Sequence, residues 1–218
     1  MMDIKTLDSM LLKLHDTYTK IDEDTKYEKE TTVATETELR SVETILECPI
    51  PPSLRTIFLE FSKSISFHSF LPSNFELTGS LSDIFSANFT FSTDELVMAE
   101  NSRKSWVKEC FSSPEDPYDK VWHNKLGFAT VGNGDVIAFD LSDPKEDKRV
   151  VYLSHDDGEG HGYVLGRSFA DYFTNLILIG ACGNEYWQMM PFITDSSSGI
   201  DPDCDNANNY RAAIGLQW

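Results

Sequence analysis

Apolar residues in the first third of the chain recur at alternating steps of three and four, the spacing that places side chains on one face of an α-helix. Three such stripes predict three amphipathic helices. The first is expected to pack on the protein's own core, and a coiled-coil dimer seam is the alternative. The second is predicted to begin at Thr35, which forms a capping-box pattern with Glu38, and the third at Pro52, because a proline lacks the N–H that a first helical turn leaves unpaired. The three stripes are Ile4, Leu7, Leu11, Leu14, Tyr18 and Ile21; Leu39, Val42, Ile45 and Leu46; and Leu54, Ile57, Phe58 and Phe61.

Shorter apolar runs in the middle of the chain predict strands. Residues 64–91 alternate loosely between apolar and polar positions, which indicates short strands and loops, and a capping-box pattern at Ser92 predicts a helix after them. The GNGD sequence at 132–135 is typical of a hairpin turn, because Asn-Gly supplies the positive φ angles that a tight turn needs. The strands predicted around and after this turn are 128–131, 136–141, 150–153 and 163–165.

A strongly periodic segment near residue 170 predicts a further helix. Ser168 is its expected N-cap and Gly180 its expected end, and the helix is expected to lie across the sheet. Helices, then a meander of strands, then a helix are typical of the α+β class, with a central, mainly antiparallel sheet and flanking helices. The apolar face of this helix contains Phe169, Tyr172, Phe173, Leu176 and Ile177.

The chain is predicted to have three parts. Residues 1–34 hold the first helix and a linker, residues 35–182 form the α+β domain, and residues 183–218 form a C-terminal extension. Within these parts, the charged stretch 22–32 is interpreted as a solvated linker or frayed helix end, 185–193 as an added strand or packed arm, and 195–209 as a loop rich in Asp, Asn and Ser.

The charge balance narrows the class of partner. Lys and Arg number 18 against 36 Asp and Glu, which gives a formal net charge of −18. A field of this sign repels phosphate backbones, so direct binding of DNA or RNA is not expected, and it attracts a basic protein. The simpler alternative is that the charge only keeps the protein soluble.

Cysteine usage and hydropathy indicate a cytoplasmic protein. The four cysteines, at 48, 110, 182 and 204, form no CxxC pair, which predicts reduced thiols in a cytosol. The first residues lack the long apolar run of a signal peptide, and no stretch approaches the ~18 apolar residues of a membrane span. Neither a membrane nor a cofactor is expected as a partner.

One tract contains residue types that bind metals. His155, Asp156, Asp157, Glu159 and His161 fall within seven positions, and histidine and carboxylate are metal ligands. A flexible loop that contains glycines does not fix ligand geometry, however, and the spacing differs from that of an EF-hand. A solvated acidic loop is therefore favoured and no metal site is predicted, while a carboxylate- or metal-dependent hydrolase stays open as an alternative.

Other catalytic motifs give no support for an enzyme. The sequence has no Gly-x-Ser-x-Gly elbow and no cysteine with a local histidine partner, although catalytic groups can also assemble only in space. The glycines of the 132–135 turn precede a strand, whereas a phosphate-binding loop precedes a helix. We expect no catalytic residues. The tryptophans and tyrosine at Trp122, Tyr186, Trp187 and Trp218 are interpreted as core residues or as partner anchors.

The order of these features resembles the SUKH superfamily, in particular its Smi/Knr-like branch. An amphipathic segment at 35–47 precedes a proline-led helix opening at 50–58 that looks like the family's. The hairpin within 126–141 looks like its glycine-aspartate hairpin, 150–153 like its next strand, and 168–173 like the start of its closing helix. The resemblance covers residues 35–180. It implies an α+β fold with helices around a central sheet and brings no catalytic residues.

The resemblance also implies a function. Bacterial members of this superfamily are mostly immunity proteins that oppose polymorphic toxins, often nucleases, whereas a fungal branch regulates cell-wall synthesis and signalling. We expect a non-enzymatic immunity protein that binds and neutralises a cognate basic toxin stoichiometrically, and a regulatory scaffold of the Smi/Knr type is the alternative. The expected partner-binding residues are Asp135, Asp156, Asp157, Glu159 and Trp122.

Overall fold

The computed structural model describes residues 3–156, 158 and 160–218. In these residues the chain forms eight α-helices, seven strands and two short 3-10 helices, at Gly79–Leu81 and Met190–Phe192. The helices are α1 (Ile4–Tyr18), α2 (Glu36–Leu46), α3 (Pro52–Glu60), α4 (Thr93–Glu109), α5 (Asp119–Trp122), α6 (Phe169–Leu178), α7 (Tyr186–Met189) and α8 (Asp205–Ile214). The strands are β1 (Lys26–Lys29), β2 (Ser64–Phe70), β3 (Ser86–Ser92), β4 (Lys125–Thr130), β5 (Val136–Asp140), β6 (Val150–Leu153) and β7 (Val164–Gly166).

The strands pair in sequence order into two antiparallel sheets, β1-β2-β3 and β4-β5-β6-β7. The α+β class and the antiparallel pairing predicted from the sequence are confirmed, and the strands are divided between two sheets. The predicted hairpin joins β4 to β5. In the turn of this hairpin, Gly134 has a positive φ angle of 100°. The side-chain amide of Asn133 donates a hydrogen bond to Asp135 Oδ2 (2.7 Å).

Side chains form hydrogen bonds with the backbone N–H and carbonyl of Thr130, the last residue of β4. Glu95 Oε1 accepts hydrogen bonds from the Thr130 backbone N–H (2.8 Å) and hydroxyl (2.6 Å), and the Asn184 amide donates to the Thr130 carbonyl (3.2 Å). Because the Glu95 carboxylate binds Thr130, the capping box predicted at Ser92 forms only in part. The Ser92 side chain accepts a hydrogen bond from the Glu95 backbone N–H (3.0 Å). A strand end satisfied by side chains has no backbone group left there for pairing with a further strand.

Helix α6 joins the two sheets through aromatic contacts. The ring centroids of Phe169 and Phe173 each lie 5.0 Å from that of Phe91 on β3, and Phe169 lies 5.7 Å from Phe128 on β4. Edge-to-face pairs of this kind stabilise by about 0.5–1.5 kcal/mol beyond the area they bury. The predicted helix that lies across the sheet is confirmed, and it contacts both sheets.

Helix α4 approaches β4 so closely that only glycine fits at one position. A Cβ added to Gly127 would lie 2.7 Å from the carbonyl oxygen of Ala99. The buried Glu100 carboxylate bridges the two elements, since its Oε2 accepts from the Gly127 N–H (2.8 Å) and from Arg103 Nε (2.8 Å). Arg103 also donates to the Trp122 carbonyl (2.8 Å), so the buried charges are paired and hydrogen-bonded.

Asp140, at the end of β5, is the second buried carboxylate with cationic neighbours. Its side chain is only 5% exposed, and it accepts hydrogen bonds from Arg149 Nε (2.8 Å) and the Ser142 hydroxyl (2.6 Å). Burial by itself would raise the pKa of Asp140, but the bonds from Ser142 and Arg149 and the charge of Lys125 outweigh it and lower this pKa to about 2.

The two terminal segments pack together on the α+β core. The Tyr18 hydroxyl of α1 donates to the Gly180 carbonyl (2.8 Å) and contacts the Tyr210 hydroxyl of α8 (2.8 Å). Tyr18 and Tyr210 belong to one buried cluster, in which Leu7 and Ile214 also take part. The expectation that α1 packs on the protein's own core is confirmed, whereas the three-part division at 34/35 and 182/183 stays a prediction.

Two segments differ from their predicted structure, and a third is decided between its two alternatives. Residues 26–29 form an edge strand, not a linker or frayed helix end, because they pair with β2 in the register Lys26↔His68 to Lys29↔Ile65. Residues 205–214 form a helix that begins inside the predicted loop 195–209 and is capped by Cys204, with Ala207 and Tyr210 buried. Residues 185–193 form a helical turn and a 3-10 turn with Met189 and Phe192 buried, so they are a packed arm and not an added strand.

Candidate partner-binding site

The predicted site residue Asp135 is the centre of a buried hydrogen-bond network. Its Oδ1 accepts from the backbone N–H (2.8 Å) and Nδ1 (2.6 Å) of His155. Its Oδ2 accepts from the Tyr152 hydroxyl (2.6 Å) and the Asn133 amide (2.7 Å). Burial, and after it the bond to the Asp135 carboxylate, raise the pKa of the Tyr152 hydroxyl well above its ordinary value, so this group is a proton donor at neutral pH.

This network fixes the hairpin turn against three other elements. The ring of His155 stacks on Trp106 of α4, with centroids 4.8 Å apart, and the Trp106 indole N–H donates to the Gly134 carbonyl (2.9 Å). On the other side, the Tyr186 backbone N–H donates to the Tyr152 hydroxyl oxygen (3.2 Å). The turn, the loop after β6, helix α4 and the C-terminal extension therefore share one set of contacts.

Two of the predicted partner-binding residues lie inside the protein. The Asp135 side chain is 0% exposed, and Trp122 is 0% exposed and stacks on Phe111 at 4.8 Å. The prediction that these side chains contact a partner directly is wrong, because neither has surface to offer. The burial has a physical reason in each case: four donors compensate the Asp135 charge, and an aromatic cluster surrounds the Trp122 ring.

Of the remaining predicted residues, Asp156 lies on the surface. Its Oδ1 accepts from the Ser154 hydroxyl (2.7 Å), and Ser154 is itself held through its backbone N–H by Nδ1 of His161 (3.0 Å). Asp157 and Glu159 lie outside the described residues. The acidic binding surface predicted at this loop therefore stays a prediction, and Asp156 is an exposed carboxylate there.

The structure brings together three residues that can hold a metal. Asp135, His155 and Asp156 each offer one ligand atom, and these atoms lie within 4.8 Å of one another. Asp135 already accepts four hydrogen bonds, one of them from the ring N–H of His155. A cation would have to displace that proton and reorient the carboxylate, so the arrangement fits a hydrogen-bonded pair better than a prepared metal site. The predicted absence of a metal site stays a prediction.

The thiols of the buried Cys182 and the half-buried Cys48 have raised pKa values. Burial raises the pKa of the Cys182 thiol well above its ordinary value, and burial followed by the charge of Glu100 raises that of Cys48. Because the thiolate is the nucleophilic form of cysteine, a raised pKa lowers reactivity at neutral pH. All four cysteines are free in the structure.

The C-terminal extension forms a surface depression that the sequence did not predict as a site. We call it the C-terminal groove; it has a volume of about 690 Å³. It runs over α7, the 3-10 helix after it and the start of α8, and Trp187 on its wall is half-buried. The available signal was an apolar, aromatic run followed by closely spaced carboxylates. Its main lining residues are Tyr186, Trp187, Met190, Pro191, Ile193 and Asp205.

These features define the class of the protein: an α+β domain whose buried carboxylates serve structure and whose outer face is acidic. Residues 33–175 match the SMI1 / KNR4 family (SUKH-1), which is well over half of the 218 residues. The chain belongs to this family. Neither the comparison with curated proteins nor that with solved structures gave a match. The matched region leaves out α1, β1 and everything after α6, including the C-terminal groove.

In the part of the chain that the structure describes, no helix has both the length and the apolar character required to cross a membrane.

Proposed function

We propose that this chain is an immunity protein that binds a cognate polymorphic toxin, most readily a nuclease, and neutralises it as a stoichiometric complex. The observation that carries the proposal is membership of the SUKH-1 family together with a formal net charge of −18. A nuclease must present a cationic cleft to a phosphate backbone. An acidic protein fits over such a cleft and is steered to it by long-range attraction.

The pairing of the carboxylates supports a role for the net charge in partner binding. Two buried carboxylates are ion-paired, Glu100 with Arg103 and Asp140 with Arg149. The exposed carboxylates of Asp94, Glu115 and Asp203 form no ion pair with any residue that the structure describes. Exposed, unpaired charge contributes little to folding, but it raises the association rate with a partner of opposite sign.

We further propose that the protein acts without catalysis, in the cytoplasm, and without nucleic acid, membrane or cofactor as partners. The proposal is supported by the raised thiol pKa of Cys48 and Cys182 and by the four hydrogen bonds that occupy Asp135. Four unpaired cysteines agree with a reducing compartment.

Rescue from toxicity tests the function directly. The C-terminal domain of the toxin-like product encoded beside this gene is expressed with and without this chain, and the two are co-purified. We expect restored growth, a 1:1 complex by light scattering, and an association rate that falls steeply between 50 and 500 mM salt, values chosen to span weak and strong screening at Debye lengths of about 14 to 4 Å. Absence of both rescue and complex with every neighbouring product would reject the immunity role and favour a regulatory scaffold.

Metal analysis tests the hydrolase alternative. Protein purified without added metal is expected to contain far less than one equivalent of zinc or manganese. A stoichiometric metal that His155→Ala removes, and that a matched His68→Ala variant retains, would overturn the non-catalytic proposal. His68 is a suitable control because it lies exposed on β2 in the other sheet.

A further inference from the structure

The C-terminal groove is a preformed surface, not a gap between loose segments. Its floor rests on Phe192, which is fully buried and packs on Tyr210 with ring centroids 5.8 Å apart. The Asn206 amide donates to the Pro191 carbonyl (2.8 Å), and the Asp201 backbone N–H donates to the Phe192 carbonyl (2.8 Å). Because these contacts hold α8 against the preceding turns before any partner arrives, little ordering entropy is lost when a ligand enters.

The walls of the groove are apolar and the rim is acidic. Trp187, Met190 and Ile193 present partly exposed apolar side chains, and Tyr186 supports Trp187 in an edge-to-face contact at 5.0 Å. The exposed Asp205 at the start of α8 lies in the lining. A half-exposed tryptophan beside other apolar side chains is the arrangement that anchors many protein interfaces.

The charge of this surface is not compensated within the chain. From Gly183 onward the carboxylates are Glu185, Asp195, Asp201, Asp203 and Asp205, and the sole basic residue is Arg211. Arg211 is already engaged, because it donates to the Leu178 and Pro202 carbonyls (3.0 and 2.6 Å). A carboxylate in the first turn of α8 interacts favourably with the helix dipole, and Asp205 forms no ion pair with any residue that the structure describes.

We propose that the C-terminal groove is the docking surface for a basic, amphipathic segment of the partner protein. An apolar side chain of that segment would contact Trp187 and Met190, while a Lys or Arg residue faces Asp205. An arginine placed over the Trp187 ring would add a cation–π contact. The proposal deepens the proposed function, on which it rests for the partner being a basic protein. A second copy of this chain is disfavoured as occupant, because it would bring another net charge of −18 against the same carboxylates.

The test uses two probes on the full-length chain. One is the toxin domain from the rescue experiment. The other is a synthetic 14-residue helical peptide with leucines at i, i+3, i+4 and i+7 and lysines elsewhere, compared with the same peptide carrying glutamates in place of lysines. Binding is measured by calorimetry, and chemical-shift changes in a ¹⁵N spectrum locate it on the chain.

Four variants separate the groove from the rest of the surface. Trp187→Ala removes the anchor, and its matched control is Trp218→Ala, a tryptophan 42% exposed outside the groove lining. Asp205→Lys reverses the rim charge, and its control is Glu115→Lys, an exposed carboxylate on the loop after α4. Circular dichroism establishes that each variant is folded. Since Asp205 is exposed, its variant remains informative even if Trp187→Ala is unstable.

We expect Trp187→Ala and Asp205→Lys each to weaken both probes by about tenfold or more, the controls to change binding less than about threefold, and the glutamate peptide not to bind. Wild-type rescue combined with unchanged affinity in both groove variants would overturn the groove and leave the immunity function standing. Binding of the lysine peptide at the groove without any toxin complex would reject the immunity function and keep the docking surface. Absence of both interactions would reject the two proposals together, and self-association seen in light scattering that Trp187→Ala abolishes would replace the basic partner by a second copy.

Discussion

The buried hydroxyl contact between Tyr18 and Tyr210 leads to an asymmetric prediction. The Tyr18 hydroxyl has a single proton, which it donates to the Gly180 carbonyl. The 2.8 Å contact with Tyr210 must then use the Tyr210 proton. Tyr210→Phe therefore leaves only a lone pair on Tyr18 unfilled, whereas Tyr18→Phe leaves both the Gly180 carbonyl and the Tyr210 hydroxyl buried without partners.

The magnitudes follow from the number of groups left unsatisfied. Loss of one net hydrogen bond lowers the free energy of unfolding by about 1 kcal/mol, and each buried polar group without a partner costs about 1–3 kcal/mol. We expect Tyr210→Phe to destabilise by about 1 kcal/mol and Tyr18→Phe by about 3 kcal/mol. In the double variant the unpaired Tyr210 hydroxyl is gone, so the loss should be only about 2 kcal/mol, which is less than for Tyr18→Phe alone.

Urea unfolding monitored by tryptophan fluorescence measures all three variants, with the slope m checked for constancy. Tyr163→Phe is the matched control, because Tyr163 is only half-buried and its loss should change the free energy of unfolding by less than about 0.5 kcal/mol. Equal losses in the two single variants, combined with an additive double variant, would show that the assigned proton arrangement is wrong and that the terminal helices are not coupled through these hydroxyls.

Three further substitutions test other parts of the fold. Asp140→Asn should lower the free energy of unfolding by about 2 kcal/mol at pH 7, because the pKa of Asp140 is lowered from 3.8 to about 2 in the folded state. This stabilisation is complete above about pH 4 and is lost as the pH falls from about 4 to 2. Urea titrations of wild type and variant should therefore give the same free energy of unfolding at about pH 2. Gly127→Ala should cost about 1–3 kcal/mol, since its Cβ would meet the Ala99 carbonyl, whereas Gly132→Ala, whose Cβ would have its nearest neighbour at 3.6 Å, should be near neutral in the same thermal melts. Asp135→Asn should cost about 1.5–3 kcal/mol and increase amide hydrogen exchange in the loop after β6; unchanged exchange would show that the network does not hold this loop.

The elements that the sequence predicted correctly are those whose local pattern agrees with their tertiary environment. The Thr35 capping box forms with both of its hydrogen bonds, α3 begins at Pro52, and α6 is held by its periodic apolar face. In each case the capping or helix-starting residue is followed by apolar residues at helical spacing that are buried in the core, such as Leu39 in α2 and Leu54 in α3. The GNGD hairpin belongs to the same group.

The elements that the sequence missed depend on partners far along the chain. Strand β1 has a KYEK sequence without apolar alternation, and it forms because β2 supplies the backbone hydrogen bonds. Helix α8 is rich in Asp and Asn, yet Ala207, Tyr210 and Ile214 are spaced by three and four, a signal that its polar composition concealed. For the candidate site, charge patterning could not distinguish an exposed carboxylate from one that is buried and compensated, as Asp135 is.

The position of α6 between the two sheets has a consequence for biosynthesis. Phe91 and its covering residue Phe173 are 173 − 91 = 82 positions apart. At about 5–20 residues per second, the ribosome needs roughly 4–16 s to make that stretch, during which Phe91 lacks its contacts with α6. A chaperone that binds extended aromatic segments would compete for residues 86–92 during this interval. Slower translation of the segment before α6 should therefore lower the soluble yield more than the same delay placed after it.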